Sequence, residues 1–262
     1  MSNRIRMLET SDVPQSFALS QAAGWNQTSE DWRLAIDMNP DGCFAMDVGG
    51  VVVATTTSIR YGTDLAWIGM VLTHPEFRGR GFARALMQSA LDRLENVETV
   101  KLDATEMGQP LYRQLGFVDE CIIERWLGVA QPSASISIDE FSPQPMLDKN
   151  AFGADRSALL QRLAQIEAAS VRDIAFAMGR PCAGTGRFGP CVSPSKEAAL
   201  VLAQWFLARH PHEQILWDLF PENNLAQSLG FEFSRRVTRM ARGRTLKSNR
   251  ALIYACAGFE FG

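Results

Sequence analysis

The feature that most constrains this chain is that it repeats itself. The segment LDATEMGQPLYRQLGF over 102–117 can be laid against WDLFPENNLAQSLGF over 217–231, and both end in Leu-Gly-Phe. Gly116 and Gly230 stand 114 positions apart, and the same offset carries Ala85-Leu86 onto Ala199-Leu200 in a second helical stretch. A period this long in 262 residues leaves room for two copies of one ordinary domain, each with its own core and the same order of strands and helices.

Within the first copy, apolar residues recur at helical spacing over 12–23 and 29–38, the second stretch opened by Thr28 or Ser29 as a cap ahead of Glu30 and Asp31. Two apolar or β-branched runs, 43–48 and 51–61, flank Gly49-Gly50 and read as a hairpin. The run 65–73 is apolar on both faces, as a central strand would be. PEFRGRG follows it, then a helical pattern carrying Phe82, Leu86, Ala90, Leu91 and Leu94. A strand at 99–104, a short helix at 110–115 and a strand at 118–127 complete the copy. In the second copy the pattern predicts helix over 156–170, strand over 171–178, helix over 195–209, and strands over 214–219, 231–241 and 251–259. Between the copies, GVAQPSASISIDEFSPQP is rich in Ser and Pro and reads as a linker, with SISI open to pairing as an edge strand. The expected organisation is a domain over 1–130, a linker over 131–146 and a second domain over 147–262.

Charge narrows the partners. A net charge of -3 lacks the electrostatic footprint of a nucleic-acid binder. No apolar run reaches the roughly 18 residues of a membrane span, and MSNRIRMLETSDVP meets acid and proline before any apolar stretch, so a cytoplasmic protein without membrane contact is expected. The five cysteines are scattered and never in CxxC spacing, which predicts free thiols. His74, His210 and His212 have no Cys or His companion at ligand spacing, so no metal is expected, and the HPH at 210–212 reads as a helix end. One basic run stands out: Arg235, Arg236, Arg239, Arg242, Arg244, Lys247 and Arg250 with no acid among them. It reads as an outward-facing strand and a solvated loop, with anion binding or a homodimer contact as the alternatives.

Arg78-Gly79-Arg80-Gly81-Phe82-Ala83 lies between a strand and a helix, where unpaired N–H groups at the helix start point at an approaching anion. Glycines let backbone come close to phosphate oxygens and the arginines add charge-assisted contacts, which makes a diphosphate cradle. An ordinary helix cap with exposed arginines would carry the same string. A nucleotide-binding P-loop is excluded, because no lysine follows the glycines.

In this setting the chain resembles the GNAT superfamily of N-acetyltransferases over roughly residues 1–130. The strand Trp67 to Thr73, then His74-Pro75, Phe77 and RGRGFA, is similar to that family's coenzyme-A motif, Q/R-x-x-G-x-G/A, with Ala83 in its last place. The family's next motif is matched by Leu102-Asp103-Ala104, Leu111-Tyr112 and Gly116-Phe117. The resemblance implies an α/β (α+β) fold of two tandem GNAT-like domains, each a mixed, mostly antiparallel twisted sheet flanked by helices. It implies acetyl-CoA as co-substrate, no metal, and a pantetheine arm lying along the backbone of Val71, Leu72 and Thr73. Arg78, Gly79, Arg80, Gly81, Phe82, Ala83 and Arg84 would hold the diphosphate. Tyr112 matches the tyrosine that protonates the departing thiolate, and a phenol with a pKa of about 10 keeps its proton at neutral pH. The alternative for Tyr112 is packing beside Phe117. Thr105 stands where many members carry asparagine, which puts one contact to cofactor or substrate in doubt.

Under the same offset RGRGFA maps onto Val192-Ser193-Pro194-Ser195-Lys196-Glu197, losing both glycines and gaining a proline and an acid, while the place of Tyr112 falls on Ala226. The second domain is therefore expected to be degenerate, without a cofactor, and to close over the first domain's substrate cleft. The attacking amine must first lose a proton, yet 66–72 offers no carboxylate. Asp103 is the nearest acid and is equally open to a structural role; water, or a side chain lent by the second domain, are the other routes. On the acceptor side, Trp25 in Gly24-Trp25-Asn26-Gln27 can hold an alkylammonium by a cation–π contact or anchor the core. The expected function is acetyl transfer from acetyl-CoA to a primary amine of a small molecule, cationic rather than acidic. The alternatives are a protein N-terminal or lysine acetyltransferase and a non-catalytic acyl-CoA sensor; retention of Tyr112 argues against the sensor.

Overall fold

The computed structural model describes residues 3–131 and 136–262. The first half runs β1 (Asn3–Met7), α1 (Val13–Ala22), α2 (Ser29–Met38), β2 (Phe44–Val48), β3 (Val51–Tyr61), β4 (Leu65–Thr73), α3 (Phe82–Arg93), β5 (Thr99–Ala104), α4 (Gln109–Gln114) and β6 (Val118–Val129). The second half repeats that order as β7 (Asp139–Glu140), α5 (Pro145–Phe152), α6 (Ser157–Ala164), β8 (Glu167–Val171), β9 (Ala175–Cys182), β10 (Thr185–Val192), α7 (Lys196–Arg209), β11 (Gln214–Leu219), α8 (Leu225–Ser228) and β12 (Glu232–Gly243). A last strand, β13 (Ile253–Ala255), has no counterpart in the first half.

Local chemistry explains many of these boundaries. Thr28 and Asp31 form a reciprocal capping box at the start of α2, with the Asp31 carboxylate accepting from the Thr28 N–H at 2.8 Å. Gly49 and Gly50 take positive φ in the β2–β3 turn. Side chains alternate across β4: Leu65 and Trp67 enter one core, Ala66 and Ile68 another. The first core lies under α1, α2, α5 and α6 and is continuous between the halves, from Trp32 and Tyr61 to Phe152, Phe176 and Phe261. α3 covers a second core in the first half, and α7 covers a third in the second.

All described strands belong to one mixed, mostly antiparallel sheet in the order β1-β2-β3-β4-β5-β12-β6-β11-β10-β9-β8-β7, with β13 pairing β10 off that path. Only β4–β5 and β10–β11 are parallel. The middle of the sheet is a strand exchange. β12, from the second half, lies between β5 and β6, while β6, from the first half, lies between β12 and β11. The division at residue 130 is thus a division of sequence and not of space.

Several expectations need correction. The basic run is solvated at Arg236, Arg242, Arg244, Lys247 and Arg250, as expected, but β12 is interior to the sheet, so Arg239 is buried against Asp103 and Arg235 is half-buried. The span expected as one helix over 156–170 divides into α6 and β8, because EAASV pairs antiparallel with β9. TGRFGPCV and the first residues, to which the pattern assigned no element, form the buried strand β10 and the edge strand β1, which pairs along β2. Within the expected linker, Asp139–Glu140 pairs with β8, and 132–135, which includes part of SISI, lies outside the described residues.

Candidate active site

The parallel strands β4 and β5 pair only at Leu65 with Thr99, Ala66 with Val100 and Trp67 with Lys101, and then part. Just beyond that point β4 bulges: Thr57 faces Gly69, but Thr55 faces Leu72. Met70, inside the bulge, has φ 47°, a left-handed conformation unfavourable for a side-chain-bearing residue, and Thr55 Oγ1 holds it by donating to the Met70 carbonyl at 2.9 Å. The V-shaped opening leaves the β5-facing edge of Val71, Leu72 and Thr73 without a partner strand among the described residues. An extended acyl-carrier arm fits along such an edge by the same hydrogen bonds that add a strand.

The loop 74–81 then delivers the chain to α3. Gly79 and Gly81 have φ of 76° and 78°, and a Cβ built on either would meet nothing within 4 Å. These glycines are required by backbone conformation, and the space in front of them is open. Gly81 caps α3 without any side-chain acceptor, so the first-turn N–H groups through Phe82, Ala83 and Arg84 remain available to an anion. Arg78 bonds the Thr73 carbonyl at 3.3 Å, Arg80 lies over the Phe77 ring at 4.7 Å, and Arg84 pairs with Gln114. The residues assigned to diphosphate binding are thus contiguous in space and fit that group.

The second half lacks each part of this arrangement. Only three residues, 193–195, connect β10 to α7, against eight, 74–81, between β4 and α3. The loop is shortened as well as substituted, which an ungapped offset does not show. Ser195 caps α7 by accepting from the Ala198 N–H at 3.2 Å, and Glu197 adds an acid to the first turn. β13 pairs with β10 at Cys191 and Val192, and the Cys256 N–H reaches the Asp218 carbonyl of β11 at 2.7 Å. The chain's own tail therefore lies at the opening between β10 and β11 that corresponds to the V between β4 and β5.

Tyr112 sits on α4 and is packed edge-on to Phe117 at 6.2 Å, with Gly108 leaving room for its ring. Burial alone pushes its phenol well above the ordinary range, so the hydroxyl is a proton donor at any physiological pH. Tyr112 and Thr105 line the same cleft as Gly69, Met70 and Val71 of β4, and Trp25 and Gln27 close it from the α1–α2 connection. The tyrosine is thus both packed beside Phe117 and open to the cleft. Asp103 also borders the cleft, with Arg239 donating to both its oxygens at 2.9 Å while burial pushes its carboxyl upward.

The remaining wall comes from the second half. Residues 257–262 fold into a compact turn on the first half: Trp67 Nε1 donates to the Phe259 carbonyl at 2.9 Å and the Tyr61 hydroxyl to that of Phe261 at 2.7 Å. The turn passes against Gly69 so closely that a Cβ there would lie 2.9 Å from the Glu260 carbonyl. Glu260 lines the cleft, with Oε1 accepting from Arg180 Nη2 at 2.8 Å and Oε2 from Gln27 Nε2 at 3.2 Å. Arg180 also bonds Asp31, and Asp218 receives Arg125 and Arg187, so a buried ion-pair network spans both halves. Phe259 and Arg235 complete the wall. Phe259 and Glu260 were not assigned to the site by sequence reasoning, whereas Gln27 belongs to the stretch read as the acceptor side and Arg235 to the basic run with anion binding as an alternative; the acid in GFEFG was a further available signal.

The profile of the acetyltransferase (GNAT) family matches residues 7–117, and that of an acetyltransferase (GNAT) domain matches 145–255. An uncharacterized N-acetyltransferase of Bacillus subtilis (strain 168), YitH, is 25% identical over 194 residues, covering 68% of each chain. A holothin acyltransferase of Pseudoalteromonas sp. (strain SANK 73390) is 23% identical over 275 residues, covering 97% of this chain and 92% of the other. Among solved structures, a Pyrococcus horikoshii protein described as a candidate acetyltransferase shares the fold with TM-score 0.87 at 20% identity, over 99% of this chain and 96% of that one. A GCN5-related N-acetyltransferase of Sphaerobacter thermophilus gives TM-score 0.64 at 18% identity, over 94% and 98%. The chain belongs to the GNAT acetyltransferases, with two domains of that family in tandem.

Proposed function

We propose that this protein transfers an acetyl group from acetyl-CoA to the primary amine of a small molecule in the β4–β5 cleft of its first domain. The observation that carries this reading is a cleft lined by Val71 of the unpaired β4 edge and by the protonated Tyr112, with β4 running on through the 74–81 loop into the uncapped α3 start. Acetyl-CoA, when bound, supplies the activated acetyl group. Every other part belongs to the chain. The β4 backbone and the 78–84 loop orient the thioester towards the cleft. The amine nitrogen attacks the thioester carbonyl, forming a C–N bond as the C–S bond breaks; Tyr112 gives its proton to the departing sulfur. Glu260 receives, through water, the proton that the amine sheds, and solvent restores the tyrosine. The cleft is walled by Trp25, Phe259 and the 257–262 turn, which suits a small acceptor better than a protein lysine. Among the described residues, no helix is long and apolar enough to cross a membrane.

The direct test is a panel of small primary amines offered with acetyl-CoA and read by thiol release. Release with a set of amines, and none without them, is expected. Binding of acetyl-CoA with no release across the panel would favour the acyl-CoA sensor instead.

A further inference from the structure

The cleft holds two polar groups that the described residues leave without partners. The first is Arg235. Each of Arg125, Arg180 and Arg187 pairs with a carboxylate of Asp31, Asp218 or Glu260, but among the described residues Arg235 has no anion within ion-pairing distance. Four guanidinium groups therefore face three carboxylates, and the surplus charge is the one on the cleft wall. Arg235 shares the Phe259 ring with Arg125, at 5.6 Å and 4.0 Å. Burial and the like charge of Arg125 push its guanidinium down to about 10, so it stays charged at neutral pH under strain. The second is Gln27, buried at 6% exposure. Its Nε2 donates to Glu260, which fixes the amide orientation, and its Oε1 is left as a buried acceptor with no donor. A half-buried cation without an anion and a buried carbonyl without a donor each cost stability unless a ligand satisfies them.

We propose that the acceptor amine carries a carboxylate, which pairs with Arg235, while Gln27 Oε1 accepts from an N–H of the amine. This rests on the acetyl-transfer reading and names its substrate class: small amino acids, not polyamines or simple alkylamines. The sequence-level expectation of a cationic acceptor followed the net charge of the whole chain; the one unpaired charge that the described residues place on the cleft wall has the opposite sign. A guanidinium suits this task because its planar donors match a carboxylate in a bidentate pair.

The test uses matched amines that differ only by a carboxylate, such as phenylalanine with phenethylamine and lysine with cadaverine, on the full-length protein. For the wild type, kcat/KM is expected to favour the carboxylate-bearing member by about ten-fold or more. Arg235→Gln should collapse that preference, mainly through KM, and Arg235→Lys should restore part of it. Arg236→Gln, which removes a neighbouring exposed arginine bonded to Glu124, should leave the preference intact. Wild-type turnover of the carboxylate-free members alone, or a preference that survives Arg235→Gln, overturns the inference while acetylation stands. A loss of acetyl-CoA affinity in Arg235→Gln with preference unchanged would assign the residue to the cofactor and overturn it as well. Calorimetry of the same amino acids into coenzyme-A-loaded protein separates the two readings. Binding that needs Arg235, without turnover, supports the carboxylate site and counts against acetyl transfer; no binding and no turnover counts against both.

Discussion

In the proposed mechanism Tyr112 serves packing and chemistry together. Its ring is held by Phe117 and by the absence of a side chain at Gly108, so Tyr112→Phe should keep the fold and the acetyl-CoA affinity. The variant lacks the proton donor, and kcat should fall by about 100-fold or less, since a coenzyme-A thiolate is a fair leaving group that water can protonate. Single-turnover rates check this, and a wild-type rate would return Tyr112 to a packing role. The direction of its titration adds a pH signature. An acid must be protonated to act, and burial raises this phenol, so it cannot cause loss of activity below about pH 10. A limb in the wild-type profile near pH 8 that disappears in Tyr112→Phe would contradict the assignment. Tyr112 was legible because it belongs to a local motif. Glu260 was not, because its relation to Gly69 joins positions far apart in sequence.

Under the proposed function, the contrast between α3 and α7 implies a single cofactor site per chain. α3 starts uncapped behind two left-handed glycines, whereas α7 follows a three-residue connection and is capped by Ser195. One acetyl-CoA per chain is the expected calorimetric stoichiometry, and two equivalent sites would contradict the account. Gly81→Ala should cost about 1 to 2 kcal/mol through its φ of 78° and weaken acetyl-CoA binding, because the new Cβ enters the space that the diphosphate needs. Unchanged affinity would place the cradle elsewhere. Elements with a strong local signature were readable in advance: the Gly49-Gly50 hairpin, the Thr28 cap and the helix after RGRG. β10 was not, since glycine and proline in TGRFGPCV carry loop preferences that burial between β9 and β11 overrides.

At the scale of the molecule, the exchange of β6 and β12 makes each half depend on the other. A fragment ending at residue 130 would leave β5 without β12 and β6 without both of its neighbours, so it should not fold as an isolated domain. The intact chain should unfold in one cooperative transition; two separated transitions by calorimetry would show that the halves are independent. Repetition revealed the two domains in the sequence, but nothing local in β12 says that it pairs with β5 instead of β11, so the shared sheet was not foreseeable. The same sharing brings Glu260 of the second domain into the cleft of the first. The most direct measurement of that claim is the pH dependence of single-turnover acetyl transfer by Glu260→Gln. The account predicts unchanged acetyl-CoA affinity and a rate lowered about 100-fold or more at neutral pH, recovering as alkaline pH deprotonates the amine without help. A wild-type rate at neutral pH would show that Glu260 of the second domain is not the proton acceptor.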